Sequence, residues 1–115
     1  MTVIFLSSDL MFSSRLFGAA QTMGTPVQVA ARPAALADKL TADCRLVLVD
    51  LSLDGLDLPA AIAAIRAVAP QARVVAFDAH VNEAALAAAE AAGCDLVLTR
   101  GQFHKQYAEL LRGVA

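Results

Sequence analysis

Three aspartates and one arginine each follow an apolar run, a pattern that could assemble a charged pocket. Asp9, Asp50 and Asp78 supply the carboxylates, and Arg100 supplies a guanidinium. Carboxylates that face one another must share a proton, bind a cation or pair with an arginine, because like charges disfavour ionisation. These residues therefore predict an acidic pocket if their strands lie side by side. If the strands lie apart, the same residues are only solvated polar caps on strand ends.

The elements that must position these residues alternate regularly between strand and helix patterns. Strands are predicted at 3–8, 26–31, 44–52, 72–80 and 95–99. Helices are predicted at 10–24, 33–42, 59–69, 83–93 and 102–113. Uniformly apolar strands that alternate with helices indicate a parallel sheet covered on both faces. We predict an α/β, flavodoxin-like (βα)5 fold with strand order 2-1-3-4-5, which brings the carboxyl ends of strands one and three together.

Length and charge favour one domain over residues 1–115 and argue against several classes of partner. The net charge is −2 and no basic run exists, so direct binding of nucleic acid or anionic membrane is not expected. No apolar run approaches the roughly 20 residues of a membrane span. The first residues, MTVIFLSSDL, lack the basic start of a signal peptide. We therefore expect a cytoplasmic protein.

The two cysteines, Cys44 and Cys94, are predicted to be small buried thiols. In the predicted strand order they lie two strands apart, at roughly 10 Å. A disulfide needs Cα atoms within about 7 Å, so we expect no bridge between them.

Two segments carry a resemblance to a known family. The run LVLVD ends in Asp50, and AAGCDLVLTR (91–100) is similar to the segment AGADDYLTKP of response regulator receiver domains. The resemblance covers the whole chain and implies that Asp50 accepts a phosphoryl group from a histidine kinase. It also implies that Asp9, Asp50 and the backbone carbonyl of Ser52 bind Mg²⁺. Arg100 stands where the family has a phosphate-binding lysine.

Several positions depart from the pattern that the resemblance implies. Ser8 replaces one of the two acidic residues after the first strand, and Val97 replaces an aromatic switch residue. Asp78 replaces the serine or threonine that donates a hydrogen bond to the phosphoryl group, which an ionised carboxylate cannot do. A charge about 4 Å from a phosphoryl group costs on the order of 4 kcal/mol at an effective dielectric near 20. Arg100 could offset this by pairing with Asp50 or Asp78.

These departures predict a pseudo-receiver, a stand-alone signalling module that acts through protein–protein contact with an impaired phosphorelay. The alternative is a working Mg²⁺-dependent receiver phosphorylated on Asp50. A flavin-binding or enzymatic module on the same fold is a third reading, against which the lack of a glycine-rich loop counts. We expect no enzymatic activity beyond self-phosphorylation of Asp50, and weak Mg²⁺ binding or none.

The expected partners are proteins. They are a histidine kinase, a downstream signalling protein, or a second copy of this chain bound through residues 83–113. The last helix contributes Phe103, Tyr107 and Leu111 to that segment, where they could serve either the core or a contact.

Overall fold

In the computed structural model, which describes residues 1–114, strands and helices alternate five times. The strands are β1 Thr2–Leu6, β2 Val27–Ala30, β3 Cys44–Asp50, β4 Arg73–Asp78 and β5 Leu96–Thr99. The helices are α1 Leu10–Met23, α2 Ala35–Lys39, α3 Leu58–Val68, α4 Glu83–Ala91 and α5 Arg100–Arg112. All neighbouring strands are parallel, in the order β2-β1-β3-β4-β5. The predicted flavodoxin-like fold is confirmed, with β3 at the centre.

Two hydrophobic clusters cover the two faces of the sheet. One packs α2, α3 and α4 against alternate strand residues, and the other packs α1 and α5 against the remaining ones. The second cluster is aromatic, with Phe77 of β4 stacked on Phe103 of α5 at 3.9 Å between ring centroids. Phe5 and Phe12 extend this group towards α1. The stack fixes the start of α5 beside the carboxyl end of β4.

Two helices and one cap differ clearly from the sequence prediction. Helix α2 is a short segment of 5 residues. Helix α5 begins at Arg100 rather than 102, because Thr99 and Gln102 form a reciprocal capping box that includes Arg100 in the first turn. Asn82 stands at the start of α4 as predicted, but its side chain makes no capping bond. Within residues 1–114 no helix is long and apolar enough to cross a membrane.

Both cysteines are free thiols; Cys44 is buried as predicted, whereas Cys94, in the turn before β5, is only partly buried. Burial raises the pKa of the Cys44 and Cys94 thiols above their usual value, so neither is activated as a thiolate nucleophile.

An ion pair ties α3 to the amino ends of β4 and β5. Arg66 donates to the Asp95 carboxylate at 2.8 Å and to the Ala72 carbonyl at 2.6 Å. The same Asp95 oxygen accepts the backbone N–H of Val74 at 2.8 Å. Partial burial alone raises the pKa of Asp95, but the bonds from Arg66 and Val74 outweigh it and hold that pKa below its usual value.

The variant Asp95→Ala is expected to lose about 1–2 kcal/mol of unfolding free energy at pH 7, because two donors lose their acceptor. The folded-state pKa of Asp95 is lowered, so its stabilisation is present above its unfolded pKa of about 3.9 and is lost as pH falls through the folded pKa. Urea unfolding at pH 7 and pH 3 should therefore show a smaller difference between variant and wild type at pH 3. Asp54→Ala, which removes an exposed loop carboxylate, is the control. An equal loss at both pH values would contradict this account.

Candidate functional site

Asp50 is a buried carboxylate at the carboxyl end of the central strand. Its side chain is only 5% exposed. One oxygen, Oδ2, accepts the Ser7 hydroxyl at 2.7 Å. The other, Oδ1, accepts the backbone N–H of Ser52 at 3.0 Å and its hydroxyl at 2.5 Å. Arg100 Nη2 lies 3.6 Å from the same oxygen, so both carboxylate oxygens are occupied.

The strand register explains why these groups meet. Asp50 lies level with Phe77 of β4, and partners in a parallel pair point to the same face. Ser7 directly follows β1 and is fully buried beside β3. Its hydroxyl also accepts the backbone N–H of Asp9 at 3.1 Å. Ser7 therefore links the loop after β1 to the Asp50 carboxylate.

Arg100 reaches the site from the first turn of α5. Its guanidinium lies 5.5 Å above the centre of the Phe77 ring and 3.4 Å from the Ser52 hydroxyl. A cation at a helix N-terminus is opposed by the helix dipole, so interactions outside the helix must offset that cost. The pairing with Asp50 and the contact with Phe77 are such interactions. Of the two partners considered for Arg100, the structure selects Asp50.

The other two predicted carboxylates lie apart from this cluster. Asp9 is the N-cap of α1 and accepts the backbone N–H of Phe12 at 2.9 Å. Asp78 lies level with Thr99, one residue past Phe77, and so points to the opposite face of the sheet from Asp50. There it is buried and accepts the Ala79 N–H at 2.8 Å and the Asn82 amide at 3.0 Å. The sequence pattern predicted three carboxylates in one pocket, but Asp9, Asp50 and Asp78 each bind different partners and do not face one another.

The oxygen atoms around Asp50 suit an arginine better than Mg²⁺. The polar partners of the carboxylate are the hydroxyls of Ser7 and Ser52, and the guanidinium of Arg100 already lies on the charged side. Mg²⁺ in proteins is commonly held by one or two carboxylates and keeps several waters. Residues 1–114 contain no group of three or more acidic, histidine or cysteine side chains placed to hold a metal. The magnesium site of Asp9, Asp50 and the Ser52 carbonyl stays a prediction.

Ser7 is the site residue to which the sequence analysis assigned no role. The resemblance to receiver domains assigned the first-strand role to Asp9. In the structure the residue beside Asp50 is Ser7, two positions before Asp9, and its side chain is a neutral hydroxyl. The sequence did contain a signal for Ser7. The apolar run of β1 ends at Leu6, so Ser7 is the first polar residue that can reach the carboxyl end of the neighbouring strand.

The variant Arg100→Ala is expected to lose about 1–2 kcal/mol of unfolding free energy at neutral pH, because buried Asp50 loses its cationic partner. Denaturant unfolding measures the loss. Arg112→Ala breaks an exposed pair with Glu109 and should cost less than about 0.5 kcal/mol.

A double-mutant cycle with Asp50→Asn separates the pairing from other effects of the arginine. We expect a coupling free energy of about 1 kcal/mol between positions 50 and 100. Additive losses would show that Arg100 acts without Asp50.

The fold matches several solved structures closely, at low sequence identity. A two-component response regulator from Clostridium difficile has a TM-score of 0.78 at 17% identity, covering 99% of this chain and 95% of that one. A beryllofluoride-activated receiver domain of DrrB has a TM-score of 0.78 at 14% identity, covering 99% and 97%. A response regulator from Burkholderia pseudomallei, solved with a phosphorylated aspartate, calcium and citrate, has a TM-score of 0.75 at 18% identity, covering 97% and 71%.

Sequence comparison adds nothing to this structural agreement. No protein-family model matches the sequence, and no curated protein matches it. Identities below 25% establish architecture alone. On that basis, the chain has the fold of response regulator receiver domains.

Proposed function

We propose that this chain is a receiver-like signalling module that acts by contact with another protein, and that phosphoryl transfer to Asp50 is impaired. The observation that carries the proposal is the occupied state of the Asp50 carboxylate. We further propose a cytoplasmic location and no enzymatic activity beyond self-phosphorylation.

The first support is the state of the would-be nucleophile. To attack phosphorus, a carboxylate oxygen must be free of strong donors on the side that the phosphoryl group approaches. Asp50 Oδ2 accepts from buried Ser7, and Oδ1 accepts twice from Ser52 and faces Arg100. Charge-assisted hydrogen bonds are roughly twice as strong as neutral ones, so freeing either oxygen is costly. Asp50 is therefore stabilised as a structural carboxylate.

The second support is that few carboxylates near Asp50 are free to bind a cation. A phosphoryl donor and Asp50 both carry negative charge, and a bound metal ordinarily neutralises the pair. Ser7 lies beside Asp50 where a second carboxylate would help to hold the metal, and Asp9 is already bonded to the α1 backbone. Arg100 supplies one positive charge in place of a divalent ion.

The third support concerns the response to a phosphoryl group. Asp78 occupies the position at which a hydroxyl would donate to a phosphoryl oxygen, and its carboxylate accepts from Asn82 on the other face of the sheet. Val97 packs against the same face instead of an aromatic switch residue. Neither side chain can report on Asp50 by exchanging a hydrogen bond.

Exposed apolar side chains near the carboxyl edge suit a protein partner. Leu10 and Met11, just after β1, are 76% and 79% exposed, and Val81, just after β4, is 71% exposed. β1 and β4 flank β3, so these side chains lie on either side of the Asp50 site. Leu10 and Met11 are adjacent exposed apolar residues, and an exposed apolar patch commonly marks an interaction site. We propose that a histidine kinase or a downstream signalling protein contacts this edge.

A homodimer through residues 83–113 is the alternative assembly. The segment's large apolar side chains contribute little to a surface, because Phe103, Leu110 and Leu111 are buried in the core. Tyr107 is half-buried and remains available for a contact.

A working phospho-acceptor is the second candidate function. It is favoured by the position of Asp50 at the end of β3 with a cationic side chain, Arg100, within 3.6 Å. The Burkholderia pseudomallei neighbour carries a phosphorylated aspartate, and the DrrB domain was solved in a beryllofluoride-activated form.

Titration with Mg²⁺ and then beryllofluoride, followed by amide NMR, distinguishes the two. We expect no saturable shifts at Ser7, Asp50 or Ser52, because the carboxylate keeps its present partners. The DrrB receiver domain, titrated in the same buffer, is the positive control. Saturable shifts that spread from Asp50 to β5 would establish a working receiver and overturn the proposal.

Ser7→Asp should create a stronger magnesium site than that of the wild type. The new carboxylate would lie beside Asp50, and two facing carboxylates need a cation or a shared proton. We expect this variant to melt lower than wild type without metal and to regain several degrees in 10 mM Mg²⁺, as expected when a ligand binds only the folded state (about 2.7 kcal/mol at 100 times Kd).

The control for that experiment is Ser14→Asp, at an exposed position of α1. It adds the same charge away from Asp50 and should show no Mg²⁺ dependence in a thermal melt. Equal stabilisation of wild type by Mg²⁺ would show that Ser7 does not limit metal binding.

A further inference from the structure

We propose a second binding site at the opposite edge of the sheet, where Arg45 and Arg73 hold a small organic carboxylate with an apolar body. The site lies at the amino ends of β3 and β4, and Arg45 is about 17 Å along β3 from Asp50. It is separate from the proposed signalling function, which concerns the carboxyl edge.

A β-bulge turns Arg45 towards this site. Thr2 of β1 lies level with Cys44, but the next residue, Val3, lies level with Leu46. Arg45 is therefore an extra residue without a partner on β1, which is the arrangement by which a bulge redirects a side chain. Leu46 and Arg73 are partners across β3 and β4, so they share one face. Arg45, Leu46 and Arg73 all line one cavity on that face, beside the end of α5.

The two arginines lack direct ion-pair partners, although the charge of Arg73 helps to lower the pKa of Asp95. Neither forms an ion pair with an acidic residue of the described chain, 1–114. The nearby acids have other partners, since Asp43 pairs with the Met1 amine at 3.3 Å and Asp95 with Arg66 at 2.8 Å. Arg45 Nη1 donates to Gln71, but its Nε is shielded from solvent and has no acceptor. An anion in the cavity would instead pair with the terminal N–H groups of the two guanidiniums, which form charge-assisted hydrogen bonds with carboxylates.

The cavity has the size and lining of a small-molecule site. Its volume is about 370 Å³, within the usual range of ligand pockets. Its apolar side is formed by Leu46, Leu110 and Val114, which are 2%, 8% and 8% exposed. Gln71 and the two guanidiniums provide the polar side. One end of a ligand would therefore contact charge and the other end apolar surface.

A planar carboxylate attached to a ring or short chain matches this division. The guanidinium fork donates two parallel hydrogen bonds to a carboxylate, and the apolar body would cover the leucine and valine side chains. Inorganic phosphate would satisfy the charge but leave the apolar wall in contact with water. A neutral aromatic would cover that wall but leave both guanidiniums without an anionic partner.

Benzoate is the probe, and benzamide, of nearly the same shape but neutral, is the matched control. Methyl NMR at constant ionic strength should show saturable benzoate shifts at Leu46, Leu110 and Val114. Benzamide and inorganic phosphate should each bind at least tenfold more weakly, because each lacks half of the interaction.

Two variants test the assigned residues. Arg45→Ala and, independently, exposed Arg73→Ala should each weaken benzoate binding about tenfold, while Arg15→Ala on the outer side of α1 should leave it unchanged. Unperturbed amide spectra away from the site confirm that each variant folds. Equal binding of benzoate and benzamide, benzoate binding unaffected by both arginine variants, or no saturable binding of benzoate would overturn the proposal.

Discussion

The central strand is enclosed on every side, and this constraint governs where the molecule can carry polar chemistry. β3 lies between β1 and β4 and is covered by helices on both faces, so its residues from Leu46 to Val49 are almost completely buried. Its backbone groups are satisfied by two neighbouring strands, and its side chains must be apolar. Charged residues can enter this strand only at its ends. Asp50 stands at the carboxyl end and Arg45 at the amino end.

The burial of Asp50 then decides much of the architecture around it. A buried carboxylate is tolerated only when donors replace the water it has lost. Two serines on the loops after β1 and β3 and an arginine on α5 supply those donors, and so tie three segments to one point. Donors that stabilise the carboxylate in the fold also compete with its use as a nucleophile, and this competition is the basis of the proposed impairment. The pseudo-receiver proposal follows from this physical conflict more directly than from any single replaced residue.

The fold was predictable from the sequence because its signals are repeated and local. Five apolar strands separated by helical periodicity permit few arrangements, and the order β2-β1-β3-β4-β5 was among them. The proximity of Asp50 and Arg100 followed from that order. The orientation of the side chains could not be predicted from the strand order, because it depends on the register between strands. Neighbouring residues of a strand point to opposite faces of the sheet. Phe77 therefore lies on the same face as Asp50, and the next residue, Asp78, lies on the other face.

Competing local interactions account for the remaining differences from the sequence prediction. Asp9 is two residues from Ser7, and a carboxylate there gains more from the free N–H groups of α1 than from the pocket. Asn82 shows the reverse choice, since its amide donates to buried Asp78 instead of capping α4. The bulge at Arg45 leaves no recognisable trace in the sequence, because it arises from pairing with a distant strand. Such choices between a local and a distant partner require the folded geometry.

Helix α5 connects the two ends of the sheet physically. Arg100 in its first turn contacts Asp50, and Leu110 near its last turn lines the Arg45 cavity. A helix of 13 residues is about 20 Å long and moves as a rigid body, so any displacement of α5 would alter both places together. The stacking of Phe103 on Phe77 opposes such a displacement. Coupling between distant sites requires an element with two arrangements that both sites bias. In this molecule α5 is the element that contacts both sites. Any coupling that moves α5 would therefore have to disrupt the packing of Phe103 on Phe77.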